Sequence, residues 1–114
     1  MRTFAKGEKL DLLTRHQDNR RFAAEPTIGE VVEGNEKLPY TMRVRVYRRS
    51  WRPEKGYTHE FLRVSDTVWL ERIRIGFNRG GATNLPHVHE IIGNLTEEEF
   101  ERRHAALIEA AKQA

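Results

Sequence analysis

The chain has no cysteine among its 114 residues, and this absence removes whole classes of protein. Without thiols there is neither a disulfide framework nor a thiolate-bound zinc site, so zinc fingers and zinc ribbons are excluded. No apolar run approaches the roughly 20 residues of a membrane-spanning helix, and the N-terminus lacks the apolar segment of a signal peptide. We therefore expect a cytoplasmic protein with no membrane partner, folded as a single domain over residues 1–114.

Positive charge is concentrated in one part of the chain. Residues 40–79 contain ten basic and four acidic side chains, a net charge of +6, whereas the whole chain carries +3. Fifteen of the twenty basic residues are arginine, whose planar guanidinium binds phosphate and carboxylate groups in a bidentate manner. This pattern favours an anionic partner, although a general genomic preference for arginine would produce the same composition.

Two runs within this basic region alternate between apolar and polar side chains, as half-buried strands do. In residues 40–47 the apolar positions are Tyr40, Met42, Val44 and Val46. In residues 72–77 arginines alternate with Ile73, Ile75 and Phe77. Antiparallel pairing of the two runs would gather the arginines on one exposed face of a sheet.

Turn signals divide the middle of the chain into successive strands. Strands are predicted over residues 27–33, 40–51, 57–64 and 67–77, separated by segments rich in glycine, proline and polar residues. Near the N-terminus, leucines at positions 10, 12 and 13 predict a short helix over residues 9–17, and residues 1–25 are left open as a loosely packed segment.

A helix at the C-terminus is the clearest local prediction. Thr96 and Glu99 have the spacing of a capping box, in which each side chain bonds the backbone of the other residue. One apolar face follows at helical spacing, formed by Phe100, His104, Leu107, Ile108 and Ala111. The predicted fold class is α+β, an antiparallel β-meander of three to five strands packed by a C-terminal α-helix.

A pair of histidines follows the glycine-containing segment 78–84. On an extended segment His87 and His89 project to the same side, which suits two acid–base groups or two metal ligands. A metal site needs a third ligand; Glu90 points to the opposite side, and His59 qualifies only if its strand lies close by. The structural alternative is a short edge strand with hydrogen-bonded histidines. No cofactor is expected.

Metal-free cleavage of RNA needs one group to take the proton of the 2′-hydroxyl and another to protonate the leaving oxygen. His87 and His89 are the candidates for these two roles. Arg74 and Arg79 are candidates for stabilising charge on the phosphate, and Asn78 for orienting the phosphate or a base. Convergence of these groups is inferred here from their proximity in the sequence alone.

Aromatic residues beside arginines are typical of surfaces that hold single-stranded nucleic acid, by stacking and by phosphate contacts. The predicted nucleic-acid-binding residues are Arg43, Arg45, Tyr47, Arg49, Trp51 and Arg72. Trp69 is predicted to be a core residue, and His104 a packed residue of the helix.

The chain resembles the TumE-like toxins of bacterial toxin–antitoxin pairs in three features. These are the end of the basic region at residues 74–78, the run Pro86–His87–Val88–His89 and a closing helix. In that family a strand end of the type Arg-x-Asp-Asn precedes a proline and clustered histidines, and here Phe77 stands where the acidic residue would precede Asn78. The resemblance implies interference with RNA or translation, and a cognate antitoxin that covers the basic face.

Three hypotheses follow from the sequence. The leading one is a nucleic-acid-binding protein, with RNA favoured over DNA, that acts as a toxin-like, metal-independent ribonuclease through His87 and His89. The second is a non-catalytic accessory or inhibitory module that docks its basic face on nucleic acid or on an acidic protein partner. The third is a metal-dependent small-molecule enzyme. A homodimer is left open.

Overall fold

A computed structural model describes residues 1–16, 23–72 and 87–113 of the chain. The described strands are β1 (Lys9–His16), β2 (Glu25–Glu33), β3 (Thr41–Tyr47), β4 (Tyr57–Arg63), β5 (Val68–Glu71) and β6 (His87–Asn94), and the helix is α1 (Glu97–Lys112). Each strand pairs antiparallel with the next one, and β1 also pairs antiparallel with β6. The six strands thus form a closed barrel.

The predicted open meander of three to five strands is therefore wrong. The pairing of β1 with β6, from Leu10 opposite Asn94 to His16 opposite His87, joins the two edges that a meander would leave free. Closure satisfies the backbone groups of both edge strands, which would otherwise be exposed to unintended pairing. The alternative of an edge strand around the histidine pair is excluded too, because β6 has a hydrogen-bonded neighbour on each side.

The N-terminal segment forms a strand where a helix was predicted over residues 9–17. Leu10, Leu12 and Thr14 are buried, whereas the residues between them are only partly buried, so the period of the segment is two. Leu13, whose adjacency to Leu12 suggested a helix, pairs with Pro26 and Glu90 on the neighbouring strands. The tertiary pairing on both sides decides the conformation of this short apolar run.

Alternate side chains of the strands fill the barrel. The largest buried cluster consists of Phe4, Leu10, Leu12, Val31, Met42, Val44, Val46, Phe61, Trp69 and Ile91. The predictions that Met42, Val44 and Val46 share a core face and that Trp69 is a core residue are confirmed. Tyr40, assigned to the same face, is 60% exposed.

Phe4 occupies the barrel near the starts of β1 and β3 and is completely buried. Its ring meets the Trp69 ring edge to face, with centroids 6.0 Å apart. Its backbone N–H donates to Oδ1 of the buried Asn35 at 2.6 Å, and the Asn35 amide donates to the carbonyls of Arg2 and Pro39. The backbone before β1 is thereby attached to the loop between β2 and β3.

The helix start predicted at Thr96 is confirmed, because the Glu99 N–H donates to Thr96 Oγ1 at 3.1 Å. In place of the reciprocal backbone bond of a capping box, the Thr96 hydroxyl donates to Glu99 Oε1 at 3.0 Å. The helix packs on the outside of the barrel, not on its apolar interior. Phe100 forms a cluster there with Ile28 and Tyr47, against which Leu107 packs. Across the described residues, we find no helix that is long and apolar enough to cross a membrane.

Substitution of two glycines tests whether the segment before β1 packs against the loop between β2 and β3. A Cβ at Gly34 would lie 1.9 Å from the backbone oxygen of Phe4, whereas a Cβ at Gly93 would meet nothing within 4 Å. We expect Gly34→Ala to lower the free energy of unfolding by about 2 kcal/mol or more, because backbone must move to relieve the clash. Urea denaturation followed by tryptophan fluorescence measures this loss.

Gly93→Ala is the matched control, and its stability should stay within about 0.5 kcal/mol of wild type. Equal stability of the two variants would contradict the position of Phe4 against Gly34.

Candidate active site

Ionisable side chains from four strands meet at one end of the barrel. His16 ends β1, Glu71 ends β5 and His87 begins β6, so antiparallel order brings the three to the same end. His59 and His89 lie one step deeper on β4 and β6. We call His16, His59, Glu71, His87 and His89 the histidine cluster. Side chains two positions apart on a strand point to the same side. Each member of the cluster is related in this way to a buried residue of the barrel interior, as His59 is to Phe61 and Glu71 to Trp69.

The Glu71 carboxylate is the centre of this cluster. His59 Nδ1 lies 3.4 Å and His89 Nε2 lies 3.3 Å from its Oε1, while His87 Nδ1 lies 3.4 Å from its Oε2. The Glu71 side chain is only 12% exposed. A carboxylate this far from solvent needs donors on both oxygens, and His89 at Oε1 and His87 at Oε2 supply them.

Glu71 is ionised over the whole physiological range. Burial alone raises the pKa of its carboxyl, but hydrogen bonds from His87 and His89, together with nearby imidazole charge, outweigh burial and lower the pKa to about 2. An ionised carboxylate can only accept hydrogen bonds. The ring nitrogen that hydrogen-bonds Glu71 therefore carries the proton in His87 and in His89.

This rule fixes the direction of a chain of hydrogen bonds inside the barrel. His89 Nε2–H donates to Glu71, so His89 Nδ1 must accept from the Thr14 hydroxyl at 2.9 Å. Thr14 Oγ1 in turn accepts from the Thr27 hydroxyl at 2.6 Å. His89 is completely buried and stacks on Phe61 with ring centroids 4.4 Å apart. Burial lowers the pKa of His89, which keeps its ring neutral.

His59 and His87 are closer to solvent than His89, with side chains 25% and 12% exposed. Nδ1 of each ring faces Glu71, so Nε2 is the ring nitrogen that is not in contact with the carboxylate. Burial lowers the pKa of His59, as do His87 and Arg48, although Glu71 opposes them. His59 Nε2 is buried and has no hydrogen-bond partner within the described ranges.

Trp51 lies beside both of these rings. Its ring centroid is 5.2 Å from that of His59 and 4.9 Å from that of His87. The Arg48 guanidinium lies over the Trp51 ring at 4.4 Å. The carboxylate, two imidazoles, an aromatic ring and a guanidinium thus form one continuous group, the arrangement in which a carboxylate orients a general base.

The possibility of a metal centre was tested on the donor atoms. Among residues 1–16, 23–72 and 87–113 there is no group of three or more His, Asp or Glu side chains arranged to hold a metal ion. In the histidine cluster the imidazole nitrogens are directed at carboxylate oxygens, the geometry of a hydrogen-bonded network.

The structure brings together only part of the predicted catalytic set. His87 and His89 lie on the same side of β6, and both face the barrel interior near Glu71. The predicted partners Arg74, Asn78 and Arg79 lie outside the described residues.

The predicted nucleic-acid-binding residues do not share one cationic surface. On the outside of the barrel, Arg43 pairs in register with Glu33 and Glu60, and Arg45 with Glu30. Arg72 forms an ion pair with Glu60 at 3.2 Å. Carboxylates thus alternate with these arginines and offset much of their charge.

The other three members of that set are in different environments. Tyr47 is 8% exposed because Phe100 and His104 of α1 pack over it. Arg49 is exposed in the turn after β3, and half-buried Trp51 is the one member in contact with the histidine cluster. The prediction that His104 is packed with a satisfied nitrogen is confirmed by the contact of its Nε2 with the Pro53 carbonyl at 2.5 Å.

Sequence reasoning missed Glu71 and His16 and gave His59 only a conditional role. A signal was present for Glu71, because a residue two positions after a buried tryptophan on a strand faces the same interior. His16 has the corresponding relation to Leu12 and Thr14 once the segment is assigned to a strand.

Comparisons of the chain with protein-family models, with curated proteins and with solved structures find no match. The geometry of the histidine cluster is therefore the basis for a functional proposal.

The low pKa of Glu71 has a measurable consequence for stability. A carboxyl whose pKa falls from 4.5 to about 2 on folding stabilises the protein fully above pH 4.5, and this contribution is lost as the pH falls towards 2. We expect Glu71→Gln to be less stable than wild type at pH 7 by about 3 kcal/mol, and the difference to narrow between pH 4.5 and pH 2.

Urea denaturation at several pH values measures this difference. Glu98→Gln, on the exposed first turn of α1, is a suitable control for loss of a carboxylate. A stability difference between wild type and Glu71→Gln that stays constant from pH 6 to pH 2 would contradict the ionised, imidazole-bound state of Glu71.

Proposed function

We propose that this protein is a metal-independent ribonuclease that cleaves single-stranded RNA with His59 and His87. The observation that carries the proposal is the pair of imidazoles held by one ionised carboxylate, with Nδ1 of each ring 3.4 Å from a Glu71 oxygen. Two imidazoles with their Nε2 atoms turned away from a common carboxylate are suited to serve as base and acid in one reaction.

In the proposed reaction, the Nε2 lone pair of one imidazole removes the proton of the ribose 2′-hydroxyl. The 2′-oxygen then attacks the adjacent phosphorus, and the bond from phosphorus to the 5′-oxygen breaks, giving a 2′,3′-cyclic phosphate. The protonated second imidazole gives its proton to the leaving 5′-oxygen. We assign the base to His59, because its lowered pKa favours the neutral form, and the acid to His87. Since Nε2 of His59 is buried, this assignment requires a neighbouring side chain to move when the substrate binds.

His89 has a different role from the one expected for it. It is fully buried and bonded at both ring nitrogens, by Thr14 and by Glu71. In this proposal it is a positioning residue: together with Thr14 it fixes the carboxylate that orients the reacting imidazoles, as an outer hydrogen-bonding partner does in other catalytic sites.

Trp51 favours a nucleic-acid substrate over a small molecule. An aromatic ring at the open end of the cluster, with a guanidinium over it, is suited to stack on an unpaired base, and such stacking is worth about 1–3 kcal/mol per base. Only single-stranded RNA offers an unstacked base together with the 2′-hydroxyl that the reaction requires.

The resemblance to TumE-like toxins agrees with this proposal, because it implies an action on RNA or translation. It also suggests a cognate antitoxin as protein partner. Covering the end of the barrel at Trp51 would block the proposed site, so we expect such an antitoxin to bind there and not on the mixed-charge face around Arg43.

Cleavage of a labelled single-stranded RNA tests the proposal. We expect wild-type cleavage to be unchanged by EDTA and to leave 2′,3′-cyclic phosphate ends. His59→Ala and His87→Ala should each lower the rate by about 10²-fold or more, the usual contribution of one acid–base group. His104→Gln, which changes a histidine outside the cluster, should retain the wild-type rate.

Cleavage that is abolished by EDTA, or that survives both cluster substitutions, would contradict the proposal. Binding of RNA without any cleavage would favour the non-catalytic binding module. Circular dichroism of each variant verifies that the barrel is intact.

A further inference from the structure

A small cleft opens beside the histidine cluster. Its volume is about 180 Å³, and it is lined by Thr14, Arg15, His16, Ala23, Glu25 and Arg48. The cleft is next to the proposed reacting group, because the ring of His16 lies 4.3 Å from that of His87 between centroids. The proposed reaction gives no substrate-binding role to Arg15, His16 or Arg48.

Arg48 is the best-defined side chain of the cleft. Its side chain is only 10% exposed, and its Nη2 donates to Glu25 Oε2 at 2.5 Å. Its Nε is buried and has no hydrogen-bond partner in the described part of the chain. A buried donor without a partner is unfavourable in the free protein, and an acceptor supplied by a ligand would offset that cost.

The charge of the cleft favours an anion. Its lining contains two arginines, Arg15 and Arg48, and a single carboxylate, that of Glu25, which is paired with Arg48. Arginine binds phosphate through several N–H groups of fixed geometry, and Arg15 is exposed and therefore accessible to a ligand. The Thr14 hydroxyl is already committed to Thr27 and His89, so the two arginines are the principal donors.

We propose that this cleft binds a phosphate group of the substrate, the one next to the phosphodiester that His59 and His87 cleave. The proposal deepens the proposed ribonuclease function and rests on it for the identity of the substrate. The binding itself requires only Arg15, Arg48 and the space between them. Glu25 then has two effects: it holds Arg48 in position and it competes with the phosphate for the same guanidinium.

Binding of a 2′-deoxy oligonucleotide of four residues tests the proposal without any reaction, because this ligand lacks the attacking hydroxyl. Isothermal titration calorimetry should show binding that inorganic phosphate displaces. Arg15→Gln should weaken binding of both ligands about tenfold, the effect expected from loss of one charge-assisted contact. Glu25→Gln should tighten it, because the competing carboxylate is removed.

Arg102→Gln is the matched control, since Arg102 is an exposed arginine of α1 far from the cleft in the sequence. This variant should bind both ligands as wild type does. Arg15→Gln changes a surface side chain and leaves the pair of Arg48 with Glu25 intact. Its affinity for the two ligands therefore tests the proposal even if Glu25→Gln is unstable. Affinity unchanged by Arg15→Gln, or no displacement by phosphate, would overturn the proposal.

The two proposals can fail separately. If the deoxy oligonucleotide binds in an Arg15-dependent manner but RNA is not cleaved, the ribonuclease function is wrong and the phosphate cleft stands. If RNA is cleaved with the same KM by wild type and by Arg15→Gln, the cleft is wrong and the function of His59 and His87 stands.

Discussion

Pairing of β1 with β6 is the constraint on which the rest of the structure depends. It runs from Leu10 opposite Asn94 to His16 opposite His87, and it turns an open sheet into a barrel. In an open sheet, side chains on β1, β4 and β6 would be spread across one face. Closure places β1 beside β6, so that Thr14 bonds His89 and the His16 ring lies next to that of His87, while Glu71 on β5 lies between the neighbouring strands of His59 and His87.

The interior of the barrel changes from apolar to polar along its axis. Near Phe4 it is filled by rings and aliphatic side chains, and such burial stabilises the fold by about 25 cal/mol for each Å² removed from water. Towards Trp51 the interior holds Thr14, His89 and Glu71, each of them hydrogen-bonded. A buried polar group without a partner is unfavourable, and His59 Nε2 and Arg48 Nε have none among the described residues. These are the atoms for which we propose roles in substrate chemistry and phosphate binding.

Local patterns predicted the elements better than their arrangement. The N-cap at Thr96 and the alternation of Met42, Val44 and Val46 depend on neighbours in the sequence, and both predictions are confirmed. Closure depends on contacts between residues about 80 positions apart, such as Leu10 with Asn94, and no local pattern encodes these. The same reason explains the candidate site. The spacing of His87 and His89 was visible in the sequence, but their position against Glu71 depends on the pairing of β5 with β6. The carboxylates that offset Arg43 and Arg72 likewise depend on the pairing of neighbouring strands.

We infer that burial keeps His59 and His89 neutral, and that the ionised Glu71 carboxylate holds the two rings in opposite tautomers. Long-range ¹⁵N–¹H NMR of the imidazoles across a pH titration tests it most directly. We predict that the pKa of each ring lies below 6.5, and that the neutral ring carries its proton on Nδ1 in His59 and on Nε2 in His89. In Glu71→Gln the ring protons of His59 and His89 should no longer be confined to these nitrogens. Titration of both rings at or above 6.5, or a proton on Nδ1 of His89, would contradict the account.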